Sequence, residues 1–251
     1  MTATAAYEVA NPDGDAAVLV LCDHATNLVP EAVAGGDLGL PAEEMARHTA
    51  HDIGARGLAL ALAELLDAPA LLSRFSRLVV DPNRGEDDPT LLMKLYDGTI
   101  IPANRHAGPE ERERRLDAWH RPYHAAITAE IDRMIAAGRE PALVSIHSYT
   151  PRLRGRTPRP WHVGVWWGKD GRIALPLIAR LRAEHDLVVG DNQPYHGELE
   201  GDTMNRHGTR RGLRHALIEL RQDLIGTPED QRLWAARLAP ILREVTAASC
   251  G

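Results

Sequence analysis

Three short apolar runs in this chain stop abruptly in polar clusters. Ala17-Val18-Leu19-Val20-Leu21-Cys22 runs into Asp23-His24. Leu78-Val79-Val80 runs into Asp81-Pro82-Asn83-Arg84, and Ala142-Leu143-Val144-Ser145-Ile146 runs into His147-Ser148. A near-continuous apolar run between turn residues is the pattern of a strand covered on both faces. Helical stretches separate the runs. Residues 43–66 form one long Ala/Leu-rich segment with Leu58, Leu62, Leu65 and Leu66 at helical spacing. Pro109 and Glu110 open another, striped by Leu116, Trp119, Tyr123, Ile127, Ile131 and Met134, with Pro122 placed to kink it. Residues 172–184 read as a helix, and Thr227 caps a last one that begins at Pro228. Short strands are predicted at residues 69–72, 162–167, 187–189 and 214–224. Strands that alternate with helices define an α/β protein with a mostly parallel sheet. The pattern predicts one domain over residues 12–248, with residues 1–11 as a flexible N-terminal segment.

Such a chain, 251 residues long and 44% hydrophobic, can bury a full core. Its net charge of −6 argues against a dedicated nucleic-acid binder. The segment MTATAAYEVANPDGD has neither the basic start nor the apolar core of a signal peptide, and no apolar run nears the ~20 residues of a membrane helix. A cytoplasmic protein with no membrane partner is expected. Two Cys, Cys22 and Cys250, cannot build a Cys-rich metal module, so any metal must be held by His and carboxylates.

In open α/β sheets ligands bind beyond the carboxyl ends of the strands. If the three runs are parallel neighbours, they deliver His24, His147, Asp81, Asn83 and Arg84 to one rim. The competing account is a set of strand ends meeting water. His24 and His147 each follow a buried strand, which makes them the leading metal-ligand candidates; a catalytic zinc takes three protein ligands and a water. The third ligand can come from the start of the 43–66 helix, where His48, His51 and Asp52 cluster, although a solvated first turn also favours Asp. Residues 214–224 alternate, with Ala216, Ile218 and Leu220 on one face and His215, Leu217, Glu219 and Arg221 on the other. Glu219 between Ile218 and Leu220 is partly desolvated if that second face is a site wall; desolvation raises a carboxylate's pKa and suits it to acid–base work. Arg77, Asn83 and Arg84 offer donors matched to a carboxylate, unless they serve structural ion pairs. Four Arg at 152, 154, 156 and 159 read as a loop near the site or as exposed surface, with a nucleic-acid patch as the alternative.

Six blocks carry a family resemblance: Cys22-Asp23-His24-Ala25-Thr26-Asn27, His51-Asp52-Ile53-Gly54-Ala55, Ser76 through Arg84, Ile146-His147-Ser148, Asn205-Arg206-His207-Gly208, and Ile218-Glu219-Leu220-Arg221-Gln222-Asp223-Leu224. In order and spacing they resemble the N-formylglutamate amidohydrolase family, which is related to the zinc carboxypeptidases. The resemblance implies a single-domain three-layer α/β/α fold of the phosphorylase/hydrolase-like kind, with a mixed, mostly parallel central sheet. It implies one zinc ion (Zn2+) per chain, with His24 and His147 as ligands. Asn83 and Arg84 would bind a substrate carboxylate with Arg77 assisting, and Glu219 would be the general base. The carboxypeptidase pattern has a Glu three residues after the first His; here that position is Asn27. Asp52 is therefore taken as the third ligand, with His51 in reserve, and His207 or Arg206 is assigned to the developing oxyanion. The implied activity is hydrolysis of an N-acyl amino acid, N-formyl-L-glutamate first, to formate and glutamate. The alternatives are a carboxypeptidase or amidase for another small amide, and a metal-free carboxylate-binding protein.

Overall fold

A computed structural model of the chain describes residues 5–195 and 199–247. Its centre is a seven-stranded mixed sheet. The strands are β1 (Tyr7–Ala10), β2 (Val18–Cys22), β3 (Ala70–Ser73), β6 (Ala142–Tyr149), β7 (Val163–Trp166), β8 (Val189–Asp191) and β9 (His215–Arg221), in the order β1-β3-β2-β6-β9-β7-β8. A small hairpin, β4 (Leu95–Tyr96) with β5 (Thr99–Ile100), lies apart. Strands β3, β2, β6 and β9 run parallel, whereas β1 is antiparallel to β3 and β7 antiparallel to β9. Residues 7–10 are thus an edge strand, and the expectation of a flexible segment through residue 11 is corrected there; residues 1–4 lie outside the described residues.

The helices are α1 (Ala42–Met45), α2 (Ala55–Leu66), α3 (Pro102–Arg105), α4 (Pro109–Arg115), α5 (Arg121–Ala136), α6 (Ala174–Arg182), α7 (Thr203–His207) and α8 (Pro228–Ala247). Two hydrophobic clusters fill the two sides of the sheet. Leu58, Leu62 and Leu66 of α2 pack with α6 and α8 against Val20, Val144 and Ile218. Tyr123, Ile127 and Ile131 of α5 pack against Leu19, Leu21, Leu143 and Leu217 on the other side. Three layers result, because each sheet face is apolar and must be covered. No helix among the described residues is long and apolar enough to cross a membrane.

Local departures from the sequence pattern have physical causes. The single helix expected over residues 43–66 is two, since residues 46–54 form a loop. Gly54 turns it with φ +81°, where an added Cβ would lie 2.1 Å from the Ile225 carbonyl oxygen. Residues 78–80 form a buried turn rather than a strand. Their carbonyls are satisfied by distant side chains: Asn104 Nδ2 donates to Leu78 (2.7 Å) and Arg115 Nη1 to Val79 (2.8 Å). Ahead of Pro122, residues 116–120 widen into a π-helical turn, which absorbs the amide that proline lacks. Thr227 and Asp230 cap α8 reciprocally, Asp230 N donating to Thr227 Oγ1 (3.2 Å) and Thr227 N to the Asp230 carboxylate (3.3 Å).

Candidate active site

The carboxyl ends of β2, β6 and β9 meet at one rim. His24 follows β2 directly, and His147 and Glu219 are register partners on β6 and β9, so their side chains share a face. Asp52 arrives from the 46–54 loop, pinned by its backbone N–H on the His24 carbonyl (3.0 Å). It does not sit on a helix face with His48, because no helix forms there. Nδ1 of His147 lies 2.8 Å and Nδ1 of His24 3.3 Å from the same oxygen, Asp52 Oδ2. These three buried side chains offer ligand atoms within 4.8 Å of one another, the one such group found among the described residues. Asn27 is directed elsewhere, donating to the Met45 carbonyl. His51 is not in the group.

The far nitrogens are held by two further carboxylates. His24 Nε2 is 2.7 Å from Asp81 Oδ1, and His147 Nε2 is 3.1 Å from Asp23 Oδ2. A neutral imidazole that donates Nε2–H to a carboxylate presents the Nδ1 lone pair forward, which is how metal-binding histidines are oriented. Burial alone would raise the pKa of Asp23, Asp52 and Asp81, but neighbouring His24, His147 and Arg77 outweigh it, and all three are held below the carboxylate range. Burial pulls His147 down, yet Asp23 and Asp52 outweigh it and raise its pKa well above the usual value. The raised His147 pKa puts a proton between its Nδ1 and Asp52 Oδ2, the place a bound cation would take by displacing that proton. Three ionised carboxylates around the two imidazoles, with Arg77 the nearby fixed cation, make a cage suited to that exchange. The donor set, two nitrogens and an oxygen, fits a catalytic zinc.

The cage opens into a cavity of about 400 Å³. Glu219 lines it; its Oε2 is buried without a hydrogen-bond partner among the described residues, and burial pushes its pKa up to about 7. Arg77, Asn83 and Arg84 also line it. Arg77 is largely committed, donating through Nε (3.0 Å) and Nη2 (2.7 Å) to Asp81. Arg84 donates through Nε to Thr90 and through Nη1 to the Asn83 carbonyl, and among the described residues its Nη2 is uncommitted. The Asn83 amide oxygen accepts from Thr203 N (3.1 Å). Trp166 of β7 completes one wall, and Gly164 on the same face is buried against the Gln193 carbonyl, so the expected exposed-face strand at residues 162–167 is corrected to one covered on both faces.

His207 and Arg206 do not reach this cavity. They sit at the end of α7, where His207 is buried against His124, its Nε2 2.9 Å from His124 Nδ1. Arg206 faces Glu86 at 3.8 Å beside a different surface depression. Their place at an oxyanion is withdrawn: neighbours of a motif in sequence are not neighbours of the pocket. The arginine loop is partly tied down, Arg154 to Glu44 (2.7 Å) and Arg159 to the Tyr195 hydroxyl (3.1 Å). His196 lies outside the described residues. The residues that sequence reasoning passed over are Asp23 and Asp81, as backing for the histidines, and the aromatic side chains Tyr96, Tyr149, Trp166 and Tyr195 in the cavity wall. Tyr149 was within reach of that reasoning, standing two residues after His147 on the same strand face; Trp166 and Tyr195 carry no such signal.

A three-layer α/β/α sandwich with a buried, carboxylate-backed His–Asp–His group at its strand ends defines a protein built around a rim site of metal-binding character. Residues 16–226 match the family described as N-formylglutamate amidohydrolase, and the chain belongs to that family. It is 34% identical to an N-formylglutamate deformylase of Pseudomonas aeruginosa over 159 residues, covering 58% of this chain and 59% of that protein. It is 30% identical to the N-formylglutamate deformylase of Pseudomonas putida over 162 residues, 57% of each. The match thus spans under two thirds of those relatives. The solved structure of gene product Atu2144 from Agrobacterium tumefaciens superposes with a TM-score of 0.92 at 33% identity, covering 98% of this chain and 96% of that one. N-formylglutamate amidohydrolase from Ralstonia eutropha shares the fold, with a TM-score of 0.64 at 24% identity over 96% and 99% of the two chains.

Proposed function

We propose that this chain hydrolyses the amide bond of an N-acyl amino acid in a zinc-dependent reaction, of the kind that converts N-formyl-L-glutamate to formate and glutamate. The observation that carries the reading is the shared cavity: His24, Asp52 and His147 converge on one point, and Glu219 and Arg84 face the same space. The family name and the deformylase relatives support the amide and the acidic amino acid. One zinc per chain, held by His24 and His147 Nδ1 and by Asp52, would supply Lewis acidity toward the amide carbonyl and acidify a water.

The chain's own residues do the rest. Glu219, with a pKa pushed up to about 7, accepts a proton from the attacking water and returns it to the departing nitrogen at near-neutral pH. Arg84 Nη2 and the Asn83 side chain receive a substrate carboxylate, which orients the amide toward Glu219. Arg77 acts one step back, holding Asp81 and through it His24. This reading places the enzyme in the cytoplasm with a small acidic substrate and neither nucleic acid nor membrane as partner. A second reading, a carboxypeptidase or amidase for a larger amide, is favoured by the cavity's aromatic wall. The test is formate release from N-formyl-L-glutamate by protein of measured metal content. Turnover that disappears with a chelator and returns with zinc is expected; equal turnover in metal-free protein contradicts the proposal.

A further inference from the structure

Aromatic residues are scarce in this chain: one Phe, five Trp and five Tyr in 251 residues. Four of these eleven, Tyr96, Tyr149, Trp166 and Tyr195, line the one cavity that holds the His–Asp–His group. Three of the four form a built wall. Trp166 and Tyr195 meet edge to face with centroids 5.0 Å apart. The Arg159 guanidinium lies over both Tyr149 (5.5 Å) and Tyr195 (4.8 Å), and donates to the Tyr195 hydroxyl and the Thr150 carbonyl.

Sheet order decides which half of a substrate this wall meets. Asn83 and Arg84 belong to the loop that follows β3, tied to β2 through the Asp81–His24 contact. Trp166 is on β7, beyond β9, and Tyr195 follows β8. His24 just after β2, His147 on β6 and Glu219 on β9 therefore stand between an end that carries Arg84 and the Arg77–Tyr96 pair and an end where Trp166, Tyr195 and Tyr149 surround Arg159. An amide whose amino-acid carboxylate rests on Arg84 directs its acyl half toward Trp166 and Tyr195. A formyl group ends in a hydrogen and leaves that wall untouched. Tyr and Trp faces and edges favour flat apolar groups. Arg159, covered by two rings and bonded to Tyr195 and Thr150, is poorly placed to neutralise a charged acyl group.

Resting on the amidohydrolase reading above, we propose that the acyl group of the preferred substrate carries an uncharged aromatic ring. In the reaction the water oxygen bonds to the acyl carbon and the carbon–nitrogen bond breaks. The products are an aromatic carboxylic acid and the free amino acid, whose nitrogen gains the proton.

The test uses the full zinc-loaded chain and four L-glutamate derivatives: N-formyl, N-acetyl, N-benzoyl and N-(3-phenylpropionyl). Free glutamate, the common product, is measured. At least one aromatic derivative should exceed the formyl compound in kcat/KM by tenfold or more. Trp166→Ala and Tyr195→Ala should each lower the aromatic-to-formyl ratio of kcat/KM about tenfold. In Glu219→Gln protein, calorimetry should show the aromatic derivative binding about tenfold more tightly than the formyl one. Highest kcat/KM for the formyl compound overturns the aromatic acyl group and leaves the amidohydrolase reading standing. Glutamate from none of the four, in protein shown to hold zinc, overturns that reading and this inference with it.

Discussion

The molecule buries two groups of histidines, and they are built on opposite principles. At the strand ends, His24 and His147 each give Nε2 to a carboxylate, Asp81 and Asp23, and turn Nδ1 to a third, Asp52. At the start of α5, His124 stacks on His207 (centroids 5.2 Å apart) and meets His120 at a tilt (4.5 Å), and the three bond no carboxylate among the described residues. His124 Nε2 must donate to the Pro82 carbonyl (2.9 Å), so its Nδ1 accepts, and His207 Nε2 must be the donor between the two rings. Burial, helped by the Arg206 charge, outweighs the weaker pull of nearby acceptors and carboxylates: His207 is pulled down to about 4, and His120 and His124 are lowered as well. One group is an anionic cage suited to a cation; the other is a neutral strut that carries the Pro82–Arg84 loop through its carbonyls. Burial and residue type are the same in both. Carboxylate partners make the difference.

Substitutions can break this contrast at either group. His24→Ala or His147→Ala should abolish metal binding and lower kcat/KM roughly a thousandfold or more, the several kcal/mol that a metal ion supplies. Metal analysis beside the formate assay checks it, and retained zinc with retained activity would remove both from the ligand set. Glu219→Gln should keep full metal content and lose about 10²–10⁴ in kcat; wild-type turnover in that variant would end its role as base. Asp81→Asn and Asp23→Asn should weaken metal affinity about 10–100-fold while leaving binding measurable, as expected for residues that orient ligands. Competition with a chelating dye reads that shift.

A separate effect, on stability rather than on metal or turnover, belongs to the neutral group. With a folded pKa of about 4 against 6.5, His207 binds fewer protons folded than unfolded. Stability then rises with pH across that window and is lost as pH falls from about 6.5 toward 4, by roughly 2–4 kcal/mol from this side chain. Urea unfolding of His207→Gln, whose amide can still donate to His124, should show a flatter acid limb than wild type. Equal slopes would show that His207 titrates normally.

The two groups also differ in how legible they were. His24 and His147 could be read from sequence because each continues a buried strand, and strand order then brings them together. Glu219 was legible for the same reason, on the alternate face of β9. Asp52 could be named but not placed: its loop depends on Gly54 fitting against Ile225, a contact between distant segments. Residues 78–80 looked like a strand because apolar runs usually are; that Asn104 and Arg115 satisfy their carbonyls is invisible to local periodicity. His207 and Arg206 stand in a polar block of the family resemblance, but α7 turns His207 toward α5 instead of the cavity, a placement that no local pattern encodes. The aromatic wall comes from two strands, β6 and β7, and the loop after β8, remote from one another in sequence, so local alternation announces only Tyr149.

Zinc stoichiometry across the two histidine groups tests the central claim most directly. Chelator-treated protein is titrated with zinc in three forms: wild type, His147→Ala, and His124→Gln. Carboxylate-backed histidines as the metal site predict one tight zinc per chain in wild type and in His124→Gln, and none in His147→Ala. Zinc retained by His147→Ala, or lost only in His124→Gln, would contradict it.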